Sequence, residues 1–132
     1  MPPKTPSRPT DAELTLLRVL WQRGPSTVRE IQEALGEGAP VAEASVLKLL
    51  QIMTGKGLLE RDASSRAHIY TARNSERSTL DQLTADLADR AFGGSAARLA
   101  LRALSARRCT AEELAEVQRM IDDLATDEGE RT

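Results

Sequence analysis

The chain has 132 residues, of which 40% are apolar, with 18 Lys plus Arg against 20 Asp plus Glu, one His, one Cys and one each of Trp, Tyr and Phe. One His and one Cys exclude a structural zinc site and a disulfide within a single chain, and three aromatic residues exclude a base-stacking platform for single-stranded nucleic acid. No apolar run approaches the roughly 20 residues that span a bilayer, and the N-terminus lacks the apolar segment of a signal peptide, so we expect a soluble cytoplasmic protein with no membrane contact.

Charge is unevenly distributed along the chain. Residues 1–77 hold 11 Lys or Arg against 9 Asp or Glu, whereas residues 78–132 hold 7 against 11. A weakly basic first half and an acidic second half indicate two functions in one chain. Two solvated surfaces with a chance asymmetry would give the same numbers, so charge alone leaves both interpretations open.

The first nine residues hold four of the six prolines and show no apolar periodicity, so residues 1–9 are predicted to form a mobile arm. The first helix is predicted to begin at a capping box, in which Thr10 and Glu13 exchange side-chain and amide hydrogen bonds. Gly24 and Pro25 are predicted to end it. The apolar face of this helix is predicted to be Leu14, Leu17, Leu20 and Trp21.

Two more helices and a β-hairpin are predicted next. A capping box at Thr27 begins a short helix, and a third helix is predicted over residues 42–55. Extended runs at 58–62 and 67–72 follow, joined by a polar turn. The inward positions of the two helices are Val28, Ile31, Leu35, Val46, Leu49, Leu50 and Met53. This order predicts a mainly α fold in which residues 10–73 form a winged helix-turn-helix domain that binds DNA.

The second half of the chain has a purely helical pattern. Three amphipathic helices are predicted over residues 74–125, separated by a Gly-Gly pair and by a capping box at Thr110. With so few aromatic residues, we expect these helices to pack against a second copy, although packing against the first domain is the alternative. The predicted dimerisation positions are Leu80, Leu83, Leu87, Leu99, Leu101, Leu104, Leu114, Val117, Ile121 and Leu124. Residues 126–132 are predicted to form a mobile acidic tail.

In a helix-turn-helix module, the helix after the turn lies in the major groove with its N-terminal half against the base edges. Lys48 could donate to guanine or to a phosphate, Gln51 could pair with adenine, and Ser45 could contact a base or the backbone. Amides near Thr27 could bind a phosphate, and Arg66 at the wing tip could reach the sugar-phosphate backbone or the minor groove. The predicted DNA contacts are Thr27, Arg29, Glu43, Ala44, Ser45, Lys48, Gln51, Lys56 and Arg66.

The sequence gives little support to catalysis. The one imidazole, His68, lies in a predicted wing strand, away from any base–nucleophile pair that we can name. Cys109 follows Arg107 and Arg108, which favour a reactive thiolate, but an ordinary cysteine in a helix–helix loop is the better explanation. Phosphate-loop, dinucleotide, zinc-protease and dithiol motifs are missing from the sequence, so we expect no enzyme activity, catalytic residue, metal or cofactor.

Several stretches of the chain resemble, in order, the penicillinase-repressor family, the BlaI/MecI-type transcriptional repressors. The resemblance extends from about residue 10 to residue 125. It implies a homodimer whose winged helices bind a dyad-symmetric double-stranded DNA operator while the C-terminal helices interlock, and it implies that Trp21 is a core residue. The matching stretches are ELTLLRVLWQRGPSTVREIQEAL, VAEASVLKLLQIMTGKGLLERD, RAHIYTA, AFGG and CTAEELAEVQRMIDDL.

The chain departs from the family pattern in the recognition helix. Glu43-Ala44-Ser45 stands where members usually carry a Tyr-Thr-Thr-like stretch, and Ile52 stands where they carry Arg. An acidic side chain repels phosphates unless it accepts from a cytosine amine, and a missing cation weakens binding. The family's operator sequence is therefore not assumed for this chain.

The resemblance also concerns regulation. The family's best-studied members are inactivated when a membrane sensor triggers cleavage in the helix after Gly-Gly. The matching position here is near Arg102 and Ala103, without the Asn-Phe pair that some relatives carry. A sensor-linked protease is therefore a candidate partner. The copper-responsive branch uses a C-terminal cysteine cluster, which a chain with one Cys cannot supply. The alternative to a repressor is a winged helix that binds protein rather than DNA, with Glu43 and Ile52 facing the partner.

Overall fold

The computed structural model of the protein describes residues 8–36 and 43–131. Most of the predicted arm and the predicted start of the third helix at residue 42 lie outside these ranges. Within them, no helix is both long and apolar enough to cross a membrane. The elements in chain order are α1 (Asp11–Arg23), β1 (Ser26–Thr27), α2 (Val28–Leu35), α3 (Glu43–Gly55), β2 (Leu59–Asp62), β3 (Ile69–Ala72), α4 (Glu76–Ala91), α5 (Ala96–Ala106) and α6 (Ala111–Arg131).

Capping boxes begin α1, α2 and α6 at the threonines that the sequence predicts. The Thr10 hydroxyl accepts from the Glu13 amide at 3.2 Å, and the Glu13 carboxylate accepts from the Thr10 amide at 2.9 Å. Thr27 and Thr110 form the same reciprocal bonds. These bonds satisfy amides that a helix leaves free at its first turn, which fixes where each helix begins. Gly24, with φ of 86°, ends α1 in a conformation that a larger residue would adopt only with strain.

The three strands form an antiparallel sheet in the order β1–β3–β2. Tyr70 in the central strand pairs with Ser26 on one side and with Arg61 on the other. β1 is not predictable from the sequence, because two residues are too few to show alternation. Ser26 is 2% exposed and its hydroxyl donates to the Gly24 carbonyl oxygen at 2.9 Å. The strands of the hairpin are shorter than predicted, so the loop between them covers residues 63–68.

The hydrophobic core lies between α1, α2, α3 and the sheet. On α1 the buried face is rotated from the prediction: Leu16 is completely buried, whereas Leu14 and Trp21 are half-buried at its edge. The Trp21 indole packs on this core and its Nε1 donates to the Asn74 carbonyl oxygen at 3.1 Å. The buried apolar cluster consists of Leu16, Leu17, Leu20, Ile31, Val46, Leu50, Met53, Leu58, Leu59 and Tyr70. Three helices packed on a sheet that ends in a hairpin confirm the predicted winged helix-turn-helix fold.

The contacts divide the chain into two units, and the division falls inside α4, between Thr84 and Ala85. In the second unit α5 buries none of its residues. On α6, the side chains of Leu114, Met120, Ile121 and Leu124 are all exposed. α6 also continues to Arg131, where a mobile tail was expected from residue 126. No proline interrupts the sequence there, and the Thr126 hydroxyl donates to the Asp122 carbonyl oxygen within the helix.

Candidate nucleic-acid interface

α3 turns one face to the core and the opposite face to solvent. Val46, Leu50 and Met53 are completely buried, and this i, i+4, i+7 spacing determines the rotation of the helix. The predicted contacts on α3 therefore lie on its solvent face, except that Glu43 begins the helix with a side chain outside the described set. The exposed residues of this face are Ala44, Ser45, Leu47, Lys48, Gln51 and Ile52.

The exposed face of α3 combines cationic, polar and apolar side chains. Lys48 supplies the positive charge, and Ser45 and Gln51 supply hydrogen-bonding groups. Leu47 is 45% exposed and Ile52 is 42% exposed. Apolar side chains on such a helix can contact the thymine methyl group in the major groove. Leu47 is not among the contacts predicted from the sequence, because its position borders the buried stripe on the helix.

The wing loop carries Arg66 at its tip, with its side chain exposed. Two local hydrogen bonds shape this loop: the Ser64 amide donates to Asp62 at 2.9 Å, and the Ser65 hydroxyl donates to the Ala67 carbonyl oxygen at 2.9 Å. The bonds from Ser64 also lower the pKa of Asp62. Within the described ranges, neither Arg66 nor Lys48 has a carboxylate within 4.0 Å. Both cations are therefore available to a phosphate.

The N-terminus of α2 is less open to an anion than predicted. The Thr27 amide donates to the Glu30 carboxylate at 2.9 Å, and the Thr27 hydroxyl accepts from the Glu30 amide at 3.2 Å. The backbone bond from Thr27 is the main cause that lowers the pKa of Glu30, so a carboxylate already occupies this helix end. Arg23 lies 3.6 Å from Glu30, and Arg29 pairs with Glu33 at 3.2 Å. A phosphate at this position would compete with these internal partners.

Lys56 is bound within the chain. Its ammonium donates to both carboxylate oxygens of Glu13, at 3.0 and 2.9 Å, and Glu13 is 1% exposed. Burial raises the pKa of Glu13, but the bonds from Thr10 and Lys56 outweigh it and leave this pKa below its ordinary value of 4.5. Lys56 thus serves the fold, and we leave it out of the interface proposed below. This ion pair is not predicted from the sequence, because the capping box already explains a glutamate at position 13.

Comparison with known proteins agrees with this geometry. The penicillinase repressor family matches residues 9–123. The chain belongs to this family. The penicillinase repressor of Bacillus licheniformis is 20% identical over 114 residues, which make up 86% of this chain and 89% of that protein.

Two solved structures are also similar. The YusO protein from Bacillus subtilis has a TM-score of 0.49 and 21% identity, covering 89% of this chain and 74% of that one. The solution structure of apo-NmtR has a TM-score of 0.44 and 24% identity, covering 66% of this chain and 70% of that one.

Membership of the penicillinase repressor family identifies the chain as a bacterial DNA-binding regulator of the winged-helix class, a family of repressors rather than enzymes. Among the described residues, no three His, Cys, Asp or Glu side chains are grouped so that they could hold a metal ion. Cys109 is half-buried in the loop between α5 and α6, with its sulfur 3.9 Å from the Arg107 carbonyl oxygen.

Proposed function

We propose that this member of the penicillinase repressor family is a homodimer that represses transcription by occupying a dyad-symmetric operator. α3 enters the major groove and the wing contacts the adjacent backbone. The observation that carries the proposal is the solvent face of α3. It presents Lys48, Gln51 and Ser45 on a helix whose opposite face is buried in the core, beside a wing that presents an exposed Arg66.

The contacts divide into positioning and base-reading groups. Arg66 neutralises a phosphate and so positions the wing without reading sequence. Gln51 and Ser45 donate to and accept from base edges, and Lys48 donates to guanine or to a phosphate. Leu47 and Ile52, which are exposed on the same face, favour sites that present thymine methyl groups. Glu43, where it meets bases, accepts from a cytosine amine.

The repression mechanism is geometric. Two winged helices related by a two-fold axis place their α3 helices in successive major grooves, about 34 Å apart on one face of the duplex. The dimer is held through the apolar positions of α4, α5 and α6, several of which are exposed in the single chain. Leu80 and Leu87 are each 44% exposed, Leu114 is 50% exposed and Ile121 is 52% exposed. Covering this surface with a second copy removes it from water.

The test is a fluorescence-anisotropy titration of the full chain with duplex DNA from the intergenic region next to its own gene, at several salt concentrations between about 50 and 200 mM. Lys48→Ala and Arg66→Ala are compared with the parent chain. For each variant that removes a phosphate contact from both halves of the dimer, we expect the slope of log K against log salt to become shallower by about 1.8. Arg18→Ala, which removes an exposed cation from α1, is the matched control and should leave the slope unchanged.

The outcomes separate the roles of the residues as well as the functions. If Lys48→Ala weakens specific and random duplexes equally, Lys48 binds a phosphate; if it weakens only the specific duplex, Lys48 reads a base. Equal, weak binding of every sequence by the parent chain contradicts the repressor. That result favours the alternative function, a protein-binding winged helix in which Glu43 and Ile52 contact the partner.

Relief of repression is proposed to occur by cleavage in α5 near Arg102 and Ala103, carried out by a sensor-linked protease. Both residues are exposed in the single chain, but the bond between them lies inside α5, and Arg102 lines the groove that we pair below with the other copy. A protease therefore needs the helix to unwind locally and the dimer contact to open. An immunoblot of cells under inducing conditions is expected to show a fragment ending near residue 102. If fully derepressed cells contain only the intact chain, repression is not relieved by cleavage. That result would not affect the proposed repressor function.

A further inference from the structure

The two exposed helices of the C-terminal unit carry opposite charges. Residues 90–111 hold five Arg and no Asp or Glu, whereas residues 112–127 hold six Asp or Glu and one Arg. The first stretch contains α5 and the second makes up most of α6. Such a separation over adjacent helices favours attraction between an α5 and an α6 and repulsion between two copies of the same helix.

On α5 the positive charges border an exposed apolar side chain. A shallow groove, called here the basic groove, is lined by Phe92, Arg98, Leu101, Arg102 and Ser105. Leu101 is 68% exposed, the largest value among the big apolar side chains that the structure describes. An exposed leucine flanked by two arginines resembles a protein–protein interface, in which an apolar centre is surrounded by a polar rim.

On α6 the negative charges border exposed apolar side chains in the same way. A second shallow groove, called here the acidic groove, is lined by Glu116, Arg119, Met120, Asp123 and Leu124. Met120 is 66% exposed and Leu124 is 58% exposed. Arg119 is the one cation of this groove, which keeps a net negative charge.

Neither groove forms an ion pair with another described residue of the same chain. Among the residues that the structure describes, Arg98 and Arg102 have no carboxylate within 4.0 Å, and Glu116 and Asp123 have no Lys or Arg within the same distance. The charges of both grooves are thus available to another molecule, and the two grooves complement each other in charge and in apolar content.

We propose that the acidic groove of each copy packs on the basic groove of the other copy in the homodimer. This pairing rests on the proposed homodimeric function. A two-fold axis produces the contact twice, so each dimer places Leu101 against Met120 and Leu124 at two equivalent positions. The apolar side chains drive association, while the charges select an α5-to-α6 pairing and set its register.

The experiment reverses the charge of one groove at a time in the full chain. Arg98→Glu with Arg102→Glu makes both grooves acidic, and Glu116→Arg with Asp123→Arg makes both basic. Each double variant is expected to raise the dimer Kd at least about tenfold, measured by sedimentation equilibrium. An equimolar mixture of the two variants should restore the parent Kd, and so should one chain that carries all four substitutions. Arg107→Glu with Arg108→Glu, an equal charge change outside both grooves, should leave the dimer unchanged.

The pattern of results identifies the pairing. If neither double variant changes the dimer Kd, the proposed pairing is wrong. Contacts between like helices would give that result, because reversing all the charges of one groove leaves like charges facing each other, as before. Restoration by the fourfold variant without restoration by the mixture also overturns it, because the two grooves then pair within one chain. Circular dichroism shows whether each variant keeps its helices. A parent chain that is monomeric at micromolar concentration contradicts the proposed homodimer itself, a result distinct from failure of the pairing.

Discussion

Glu13 connects the beginning of α1 to the end of α3 through one buried carboxylate. It accepts hydrogen bonds from the Thr10 amide and from the Lys56 ammonium. Lys56 directly follows α3, so this contact restrains the end of the helix that we assign to DNA. The bond to Thr10 can be predicted from the sequence because it spans three residues. The bond to Lys56 joins positions 43 residues apart and depends on the tertiary packing of α1 and α3.

Lys56→Met is expected to lower the free energy of unfolding by about 3 kcal/mol, because it leaves the Glu13 carboxylate buried without its cation. This is the lower end of the usual range, since the Lys56 side chain is 30% exposed. Urea denaturation followed by circular dichroism measures the change. A second variant, Lys56→Met with Glu13→Gln, removes the buried charge as well and should recover much of the loss. A cost below about 1 kcal/mol for the single variant would contradict this account.

The cost of Lys56→Met depends on pH. The pKa of Glu13 is lower in the folded chain than its ordinary value, so the stability from its ionised form is complete above the unfolded pKa and is lost as pH falls through the folded one. We therefore expect the difference between the parent chain and Lys56→Met to be largest near neutral pH and to shrink as the pH falls, because burial without Lys56 raises the pKa of Glu13 in the variant and its carboxyl takes up a proton first. The doubly substituted chain, without a carboxyl at position 13, should show a flatter difference.

The sequence predicts a helix or strand best where its ends and its buried face depend on residues that are close together in the chain. The caps of α1, α2 and α6, the glycine that ends α1 and the inward face of α3 all depend on residues within one or two turns, and the structure agrees with each prediction. β1 was missed because Ser26 and Thr27 become a strand only by pairing with β3. The predicted anion site at Thr27 is occupied by Glu30, although the same capping box that predicts the helix also predicts this carboxylate.

The exposed face of α3 contains a position where added charge should be tolerated. Ile52 is 42% exposed on the solvent face, and the family resemblance places an arginine there. Ile52→Arg is expected to tighten binding to random duplex DNA and to steepen the salt dependence by about 1.8 per dimer, because each chain gains one phosphate contact. The same titration measures it, and Gln22→Arg on the exposed side of α1 is the charge-matched control. Equal steepening by both variants would show that total charge, and not position on α3, governs binding.

The two halves of the molecule differ in how far their apolar side chains are buried within a single chain. The winged helix has a buried cluster of its own, so its three helices, its hairpin and most of the core positions on its helices could be derived from apolar periodicity, whereas Leu16 and β1 could not. The C-terminal helices could be predicted as helices, but α5 has no buried residue, and Leu114, Met120, Ile121 and Leu124 of α6 are exposed. Periodicity shows that such a face needs a partner without showing which partner, and the opposite charges of the two grooves are the reason why we propose a second copy.

Loss of the dimer should remove operator binding even when each winged helix is intact. Leu83 lies half-buried on α4 between Leu80 and Leu87, and Leu83→Asp introduces a charge into the proposed dimer surface. Gln82→Asp, one position earlier and exposed, makes the same change of charge at the surface and is the matched control. We expect Leu83→Asp to be monomeric at micromolar concentration by sedimentation, while Gln82→Asp remains dimeric.

Operator affinity should follow the oligomeric state. Two half-sites bound by one dimer gain from an effective concentration that a monomer lacks, so Leu83→Asp is expected to bind the full operator about 10² to 10⁴ times more weakly than the parent chain. Its affinity for an isolated half-site should change little, because α3 and the wing are untouched. Circular dichroism must show retained helices for this comparison to hold. A helical Leu83→Asp chain that stays dimeric would place the dimer surface elsewhere, and a monomer with full operator affinity would contradict recognition by two linked half-sites.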